Sequence, residues 1–440
     1  METRCPRVGI NAIGITRDDG GRYQYAVELT REVLLANRDQ FRFVLFHSDP
    51  QFSLDVGVDE FDEQVVFVDD SPPDLVMNLA LVFDRLCLGR IKARYTNLWM
   101  ITELIQAILA RLLGGAIRHS FALGRYTSLT TSDLDAILQP GDGMGACISM
   151  LPSVIVIHES PRRWGVEMLR LNSKHYLIKE ALRLRGIGRL AKAVMTHSEE
   201  SKSSLVRTGI ERCKVHLLPL RAPKYVRRIP TESEFTQLQE TYSLPEEYLF
   251  FPGGFHVAKN HEVMVKALHL LHQEYDLKLS AVFVGSKGPT LEPTLAMAAE
   301  FGLSSHVHYL GYVPDEDMAG LYKLATVLVS AWLGGPVNLL VMEAMATGCP
   351  VICPEDRGSG GELGDAALFV DARDPQSVAR AIAQVQLDKE VRKKLIRSGA
   401  ECFERLHHSD HGQRTLNVLS GVLQQLQSKS TKGIKLDSCR

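Results

Sequence analysis

The 440-residue chain is short of several features that would assign it quickly, and each shortage excludes something. No stretch reaches the roughly 18 uninterrupted apolar residues of a membrane-crossing helix. The start, METRCPRVGINAIG, lacks the basic-then-apolar layout of a secretory signal. These absences read as a soluble protein of the cytoplasm. The eight cysteines are scattered, and only Cys349 and Cys353 lie close together, with three residues between them. That spacing fits neither a zinc site nor a disulfide framework. Charge of one sign is missing too: 50 Lys and Arg stand against 52 Asp and Glu, a net of −2. So weak a field does not steer a protein onto nucleic acid or an anionic membrane, and any anionic ligand must be held by local groups. There is no repeat at a solenoid period. The first strand turn has no GxGxxG, and no acidic residue follows it at the distance that reads a ribose, which makes a nicotinamide-dependent dehydrogenase a poor reading.

What is present is an ordinary globular balance, 45% hydrophobic and 23% charged, over a length suited to two large domains or three small ones. Short apolar runs alternate with helical patterns: RVGINAIGI, a helix over Tyr23 to Ala36, FRFVLFH, EQVVFVD, LDAILQ, SVIVIHE and RLAKAVMTHS. A proline-rich passage, Leu218 to Pro230, then reads as the linker. A second series follows with EYLFFPGG, KLSAVFVGS, HVHYLGY, ATVLVSAW, GCPVICPE and AALFVD. That order predicts two α/β doubly wound domains in tandem. The divisions expected are 1–222, 223–403, a helix over 404–425 crossing back to the first domain, and a flexible tail over 426–440. Residues 98–113, LWMITELIQAILARLL, break the rhythm. They read as an amphipathic helix, either packed on the first domain or used at a membrane surface or subunit contact.

Four places carry candidate chemistry. Gly20-Gly21 sit between the first strand and its helix, where bare amides receive phosphate, although two glycines also make a simple turn. His158 ends the buried run SVIVI, where ligands of open sheets collect; it either donates to a substrate or bonds a neighbouring carbonyl. In FPGGFHVAKNH, a strand leads through Gly253-Gly254 to Lys259 and Asn260 at a helix start, which suits a diphosphate. The segment WLGGPVNLLVMEAMATG is a glycine-rich loop and a short helix. Glu343 on that helix lies among apolar neighbours and needs either hydroxyl donors, such as those of a ribose, or a buried salt bridge.

These segments, together with GGRYQYAVEL, VMTHSEESKSSLV, VHYLGYVPDEDMAGLYKLA and GGPVNLLVMEAMATGCPVICPEDRGSGGELGDAALFVDARD, resemble retaining nucleotide-sugar glycosyltransferases of the family 4 type over nearly the whole chain. The resemblance implies a GT-B fold, two Rossmann-like domains facing across a cleft. It implies a nucleotide-sugar donor, its diphosphate on Lys259 and loop amides and its ribose on Glu343. Gly21 would lie near the diphosphate and His158 near the transferred sugar. Gly20, Gly253, Gly254, Asn260, Gly335, Asn338, Leu339 and Leu340 would complete the donor site. No metal or other cofactor is implied. The acceptor would be a glycan or lipid-linked hydroxyl, with peripheral membrane contact through residues 98–113 and no role for nucleic acid.

Two charges usual in that family are missing. Gly335 stands where the first of two glutamates is expected, and Gly254 where an arginine follows the strand's glycine. The form GGPVNLLVMEA resembles a branch in which GPTN replaces the first acidic residue and Lys-Asn-His recurs, as at Lys259-Asn260-His261. That branch suggests polysaccharide or lipopolysaccharide assembly, with GDP-mannose or a UDP-sugar as donor. Lys287 is a candidate to replace the lost arginine. The rival readings are a UDP-sugar 2-epimerase-like enzyme and a catalytically silent GT-B binding protein.

Overall fold

Thirteen strands form two all-parallel sheets in a computed structural model that describes residues 4–17, 20–61, 64–67, 133–141, 151–158, 183–228, 230–333, 339–354, 363–407 and 410–437. The first sheet contains β1 (Arg7–Ala12), β2 (Arg42–His47), β3 (Gln64–Phe67), β4 (Ala136–Gln139), β5 (Ser153–Val156), β6 (Ala193–Thr196) and β7 (Val215–Leu217), in the order β3-β2-β1-β4-β5-β6-β7. The second contains β8 (Tyr248–Pro252), β9 (Ser280–Val284), β10 (Val307–Tyr309), β11 (Val327–Val329), β12 (Val351–Pro354) and β13 (Leu368–Val370), in the order β10-β9-β8-β11-β12-β13. The strands are near-continuous apolar runs because helices cover both faces of such a sheet; every residue of β8 and β9 is buried. The expected doubly wound pair is therefore present. The strand order reverses between β1 and β4 and again between β8 and β11, and it is beyond the strand ends at such points that ligands of open sheets bind.

One apolar cluster joins the halves. It runs from Val8, Ile10 and Met195 through Leu218, Leu220, Ala222 and Val226 to Tyr248, Phe250, Leu321 and Met342. The proline-rich passage is thus a buried bridge rather than a loose tether. Strand β7, which immediately precedes it, escaped the sequence reading because three residues beside a run of prolines carry too short a pattern.

The last helix, His411–Asp437, packs along the first, Gly21–Ala36. It continues past residue 425, where a tail was expected: Leu426 still packs against the core, and the following Gln and Lys residues are good helix formers. Residues 98–113 lie outside the described residues. Among the described residues no helix is long and apolar enough to cross a membrane.

The two helices approach closely at Gly412, where a Cβ would stand 2.1 Å from the Glu32 carbonyl oxygen and 2.8 Å from Ala36 Cβ. Gly412→Ala must push the helices apart and should lower the midpoint of urea unfolding by the equivalent of about 1–3 kcal/mol. Circular dichroism through a urea titration checks this; an unchanged midpoint would mean that the last helix is not seated there.

Candidate functional site

The two switch points open into one cleft of about 690 Å³ between the domains. From the first domain, β1 leads to Gly20 and the Gly21–Ala36 helix, whose N-cap Gly20 makes no side-chain cap, and a helix N-terminus of this kind suits an anion. From the second domain, the Leu339–Thr347 helix presents its own N-terminus. The two ends face each other: a Cβ on Gly21 would lie 3.4 Å from the Leu339 side chain. Two helix N-termini meeting at one point favour negative charge between them. Gly20, Gly21, Leu339 and Leu340 all line the cleft, whereas Gly335 and Asn338 lie outside the described residues.

Opposite these, β8 ends at Pro252 and the chain turns through Gly253 and Gly254 into the short Val257–Lys259 turn. Lys259 lines the cleft, with its Nζ 5.0 Å from the centre of the Trp332 ring. A cation over an indole face is attracted by the ring and held in place. The loop after β9 folds tightly onto this turn. Gly285 has φ +141°, and a Cβ there would come within 2.5 Å of the Gly253 carbonyl. At Gly254 a Cβ would stand 2.6 Å from Ser286 Oγ and 3.5 Å from the His256 ring. The place where an arginine was looked for is therefore filled by Ser286 and His256, and both line the cleft. Lys287 does not line it and stands exposed. Arg17 and Arg22 add positive charge from the first domain, Arg17 being paired with Asp55 at 3.1 Å.

Asn260 is placed differently from the expectation. Its backbone is left-handed (φ 61°), and its Nδ2 donates to the Ala372 carbonyl at 2.7 Å and reaches that of Ala331 at 3.5 Å. The amide ties the loop to the ends of β11 and β13 and does not line the cleft. His261 supports the same loop from behind. It stacks on Phe255 with ring centroids 3.9 Å apart, and burial lowers its pKa to about 4.

His158 lines the cleft, and its Nδ1 lies 2.9 Å from His197 Nε2. His197 Nδ1 lies 2.9 Å from the Leu218 carbonyl, which can only accept. Neutral rings therefore order as a chain: His197 donates to Leu218, and His158 donates from Nδ1 to His197. Burial above all, then the nearby Arg22, lowers the His158 pKa to about 4, although the Pro140 carbonyl opposes the shift, so the ring is neutral near pH 7. The edge of Tyr25 packs against both imidazoles, at 4.7 and 4.9 Å between centroids.

Glu343 lines the cleft at only 2% exposure. Among the described residues two phenols, and no salt bridge, hold it. The Tyr225 hydroxyl donates to Oε1 at 2.8 Å and the Tyr322 hydroxyl to Oε2 at 2.7 Å. Burial raises the carboxyl pKa to about 7 against the pull of the two phenols. Burial likewise holds both phenols well above their ordinary range, so they stay protonated donors. Two carboxylate oxygens offer about four acceptor positions, and the phenols use two. Two remain, which matches the two hydroxyls of a vicinal diol.

Sequence reasoning missed Tyr225, Tyr322, His197 and the exposed Tyr312 at the cleft mouth. Tyr322 and His197 lie inside motifs already singled out, but nothing in the linker sequence pointed to Tyr225. Asp133 and Asp135, an acidic pair one residue apart, are bonded to Arg4 at the start of β4, at the opposite end of the sheet from the cleft.

Residues 235–401 match the family described as Glycosyl transferases group 1. The O-antigen chain mannosyltransferase B of Escherichia coli is 27% identical over 197 residues, 44% of this chain and 51% of that protein. The D-inositol 3-phosphate glycosyltransferase of Corynebacterium jeikeium is 30% identical over 152 residues, 32% of this chain and 36% of that protein. The chain thus spans about half, or less, of the curated relatives it matches. In structure it superposes on Anabaena HepE in complex with UDP and glucose with a TM-score of 0.63 at 14% identity, covering 95% of this chain and all of that one. For WaaG, a glycosyltransferase involved in lipopolysaccharide biosynthesis, the TM-score is 0.58 at 13% identity, covering 94% and 100%. The fold is GT-B, and the matched residues 235–401 make up most of its second half.

The raised pKa of Glu343 has a consequence for the ligand-free protein. Between the ordinary carboxyl pKa and about 7 the folded state holds a proton that the unfolded chain has lost, so stability falls as pH rises through this window. The loss is of the order of 3 kcal/mol. Glu343→Gln removes the titrating group, and its melting temperature relative to the parent should rise between pH 5 and pH 8. Parallel melting curves at all pH values would contradict the raised pKa.

Proposed function

We propose that the protein is a retaining glycosyltransferase of the family 4 type, in the GPTN-like branch. It moves a hexose from a nucleotide-diphosphate sugar to a glycan or lipid-linked hydroxyl in polysaccharide or lipopolysaccharide assembly. One observation carries the reading: Lys259, two facing helix N-termini and a buried carboxylate with two open acceptor positions share one interdomain cleft. A diphosphate fits the first two and a ribose diol the third. The relative that transfers mannose to O-antigen favours GDP-mannose, and the UDP and glucose held by HepE keep a UDP-sugar in view. Cytoplasmic placement, with residues 98–113 at the inner face of the membrane, belongs to the same proposal.

In this mechanism Lys259 and the amides at the two helix N-termini stabilise the charge that grows on the departing diphosphate, a field already in place before the bond breaks. The acceptor oxygen bonds to the anomeric carbon on the face from which the diphosphate leaves. The carbon–oxygen bond to phosphate breaks, and the acceptor proton passes to the leaving diphosphate oxygen. His158, neutral and bonded to His197, is not an acid here; it forms a fixed wall beside the transferred sugar. Closure of the domains excludes water.

Calorimetry against UDP- and GDP-sugars tests the donor site. Lys259→Ala should weaken the preferred donor about 10- to 100-fold, the worth of a charge-assisted hydrogen bond, and Glu343→Ala should weaken it comparably. With acceptor, NMR of the product should show the anomeric configuration of the donor retained. Conversion of donor alone to an epimer would favour the epimerase-like reading, and binding without turnover on any acceptor would favour the silent one.

A further inference from the structure

We propose that Tyr225 is a positioning residue for Glu343, and that through it the interdomain linker holds the diol-binding carboxylate in place. The proposal rests on the nucleotide-sugar reading of the cleft and goes beyond it by assigning work to a linker side chain.

Tyr225 lies in a single turn, Lys224–Arg227, at the crossing between the domains. One side of that turn is fastened to the first domain: the Lys224 amide donates to Glu28 Oε1 at 3.0 Å, and the Arg227 guanidinium reaches Glu28 Oε2 at 3.3 Å. Glu28 belongs to the Gly21–Ala36 helix, whose N-terminus lines the cleft. Val226 is buried in the apolar cluster that joins the domains. The other side of the turn is fastened to the second domain through a single polar contact among the described residues, the Tyr225 hydroxyl on Glu343 Oε1. A four-residue turn thus spans from the helix that receives the diphosphate to the carboxylate that receives the diol. Tyr322 grips the other oxygen from within the second domain. With one phenol on each oxygen the carboxylate plane is fixed in a residue that lines the cleft.

The groups facing Glu343 are Tyr225 from the linker, Tyr322 from the Asp315–Leu324 helix and Asp315 from the start of that helix, whose negative charge acts against ionisation. A carboxylate must be ionised to accept both hydroxyls of a diol, so donor affinity should fall with a slope of one as the pH drops below the ionisation of Glu343. Loss of the Tyr225 hydroxyl removes a donor that stabilises the ionised form and shifts that limb to higher pH. His256 and Lys259 face the same cleft and are common to parent and variant.

The test is the dissociation constant of UDP-glucose and of GDP-mannose for the full chain, measured by calorimetry from pH 5.5 to 9. Neither donor has a phosphate that titrates in the upper part of this range. Tyr225→Phe keeps the ring and its packing. The expected result is a several-fold loss of affinity near pH 7, an acid limb displaced upward by half a unit or more, and recovery toward the parent at pH 9. An unchanged profile, or a loss equal at every pH, overturns the assignment while leaving the donor site intact. Absence of binding of either donor by the parent overturns the nucleotide-sugar reading and this assignment with it. Should Tyr225→Phe not fold, difluorotyrosine at position 225, a stronger donor, gives the converse test: the limb must move to lower pH, and no movement overturns the proposal.

Discussion

A carboxylate taken out of water must be given hydrogen bonds or lose its charge, and the centre of this molecule is arranged around that constraint at Glu343. Burial pushes its pKa up to about 7 while two phenols pull the other way. Neither phenol is local in sequence. Tyr322 comes from a helix 21 residues earlier and Tyr225 from 118 residues earlier, on the passage between the domains. The linker is therefore fixed by chemistry as well as by its buried Leu218, Leu220, Ala222 and Val226. What looks on paper like a proline-rich spacer is a wall of the site.

Around that carboxylate the fold supplies positive potential with few formal charges. In both sheets all strands run one way, so loops and helix N-termini gather at the same edges, and the two edges oppose each other. Glycine makes the approach close: Gly21 meets Leu339 across the cleft, and Gly285 lets the loop after β9 lie on Gly253. Lys259, steadied by Trp332, is the second domain's lysine at this point. A net charge of −2 is no obstacle to anion binding when the binding groups are amides and one anchored lysine.

Much of this was legible in the sequence, for physical reasons. Strands buried on both faces must be uninterrupted apolar runs, and YLFFP or SAVFV announces itself. Gly20-Gly21, Gly253-Gly254 and the lysine that follows stood out because tight strand-to-helix turns need those residues. Glu343 stood out because a charge among apolar neighbours needs an explanation. What stayed hidden depends on contacts between distant residues. No pattern reveals that Tyr225 reaches Glu343, that His197 fixes the proton position of His158, or that Asn260 turns to the carbonyls of Ala331 and Ala372. Gly254 read as a missing charge, yet the structure shows the space taken by Ser286 and His256. The chain from residue 426 was read as tail because its polar composition hid the packing of Leu426 and the continuation of the helix.

The central claim is that one nucleoside diphosphate spans the cleft from Glu343 to Lys259. The most direct measurement is a crystal structure of the protein soaked with UDP or GDP. The account predicts both ribose hydroxyls within hydrogen-bond distance of the Glu343 carboxylate, with the phosphates between Lys259 and the amides at Leu339 and Leu340. A nucleotide bound with its ribose away from Glu343, or its phosphates away from Lys259, would contradict it.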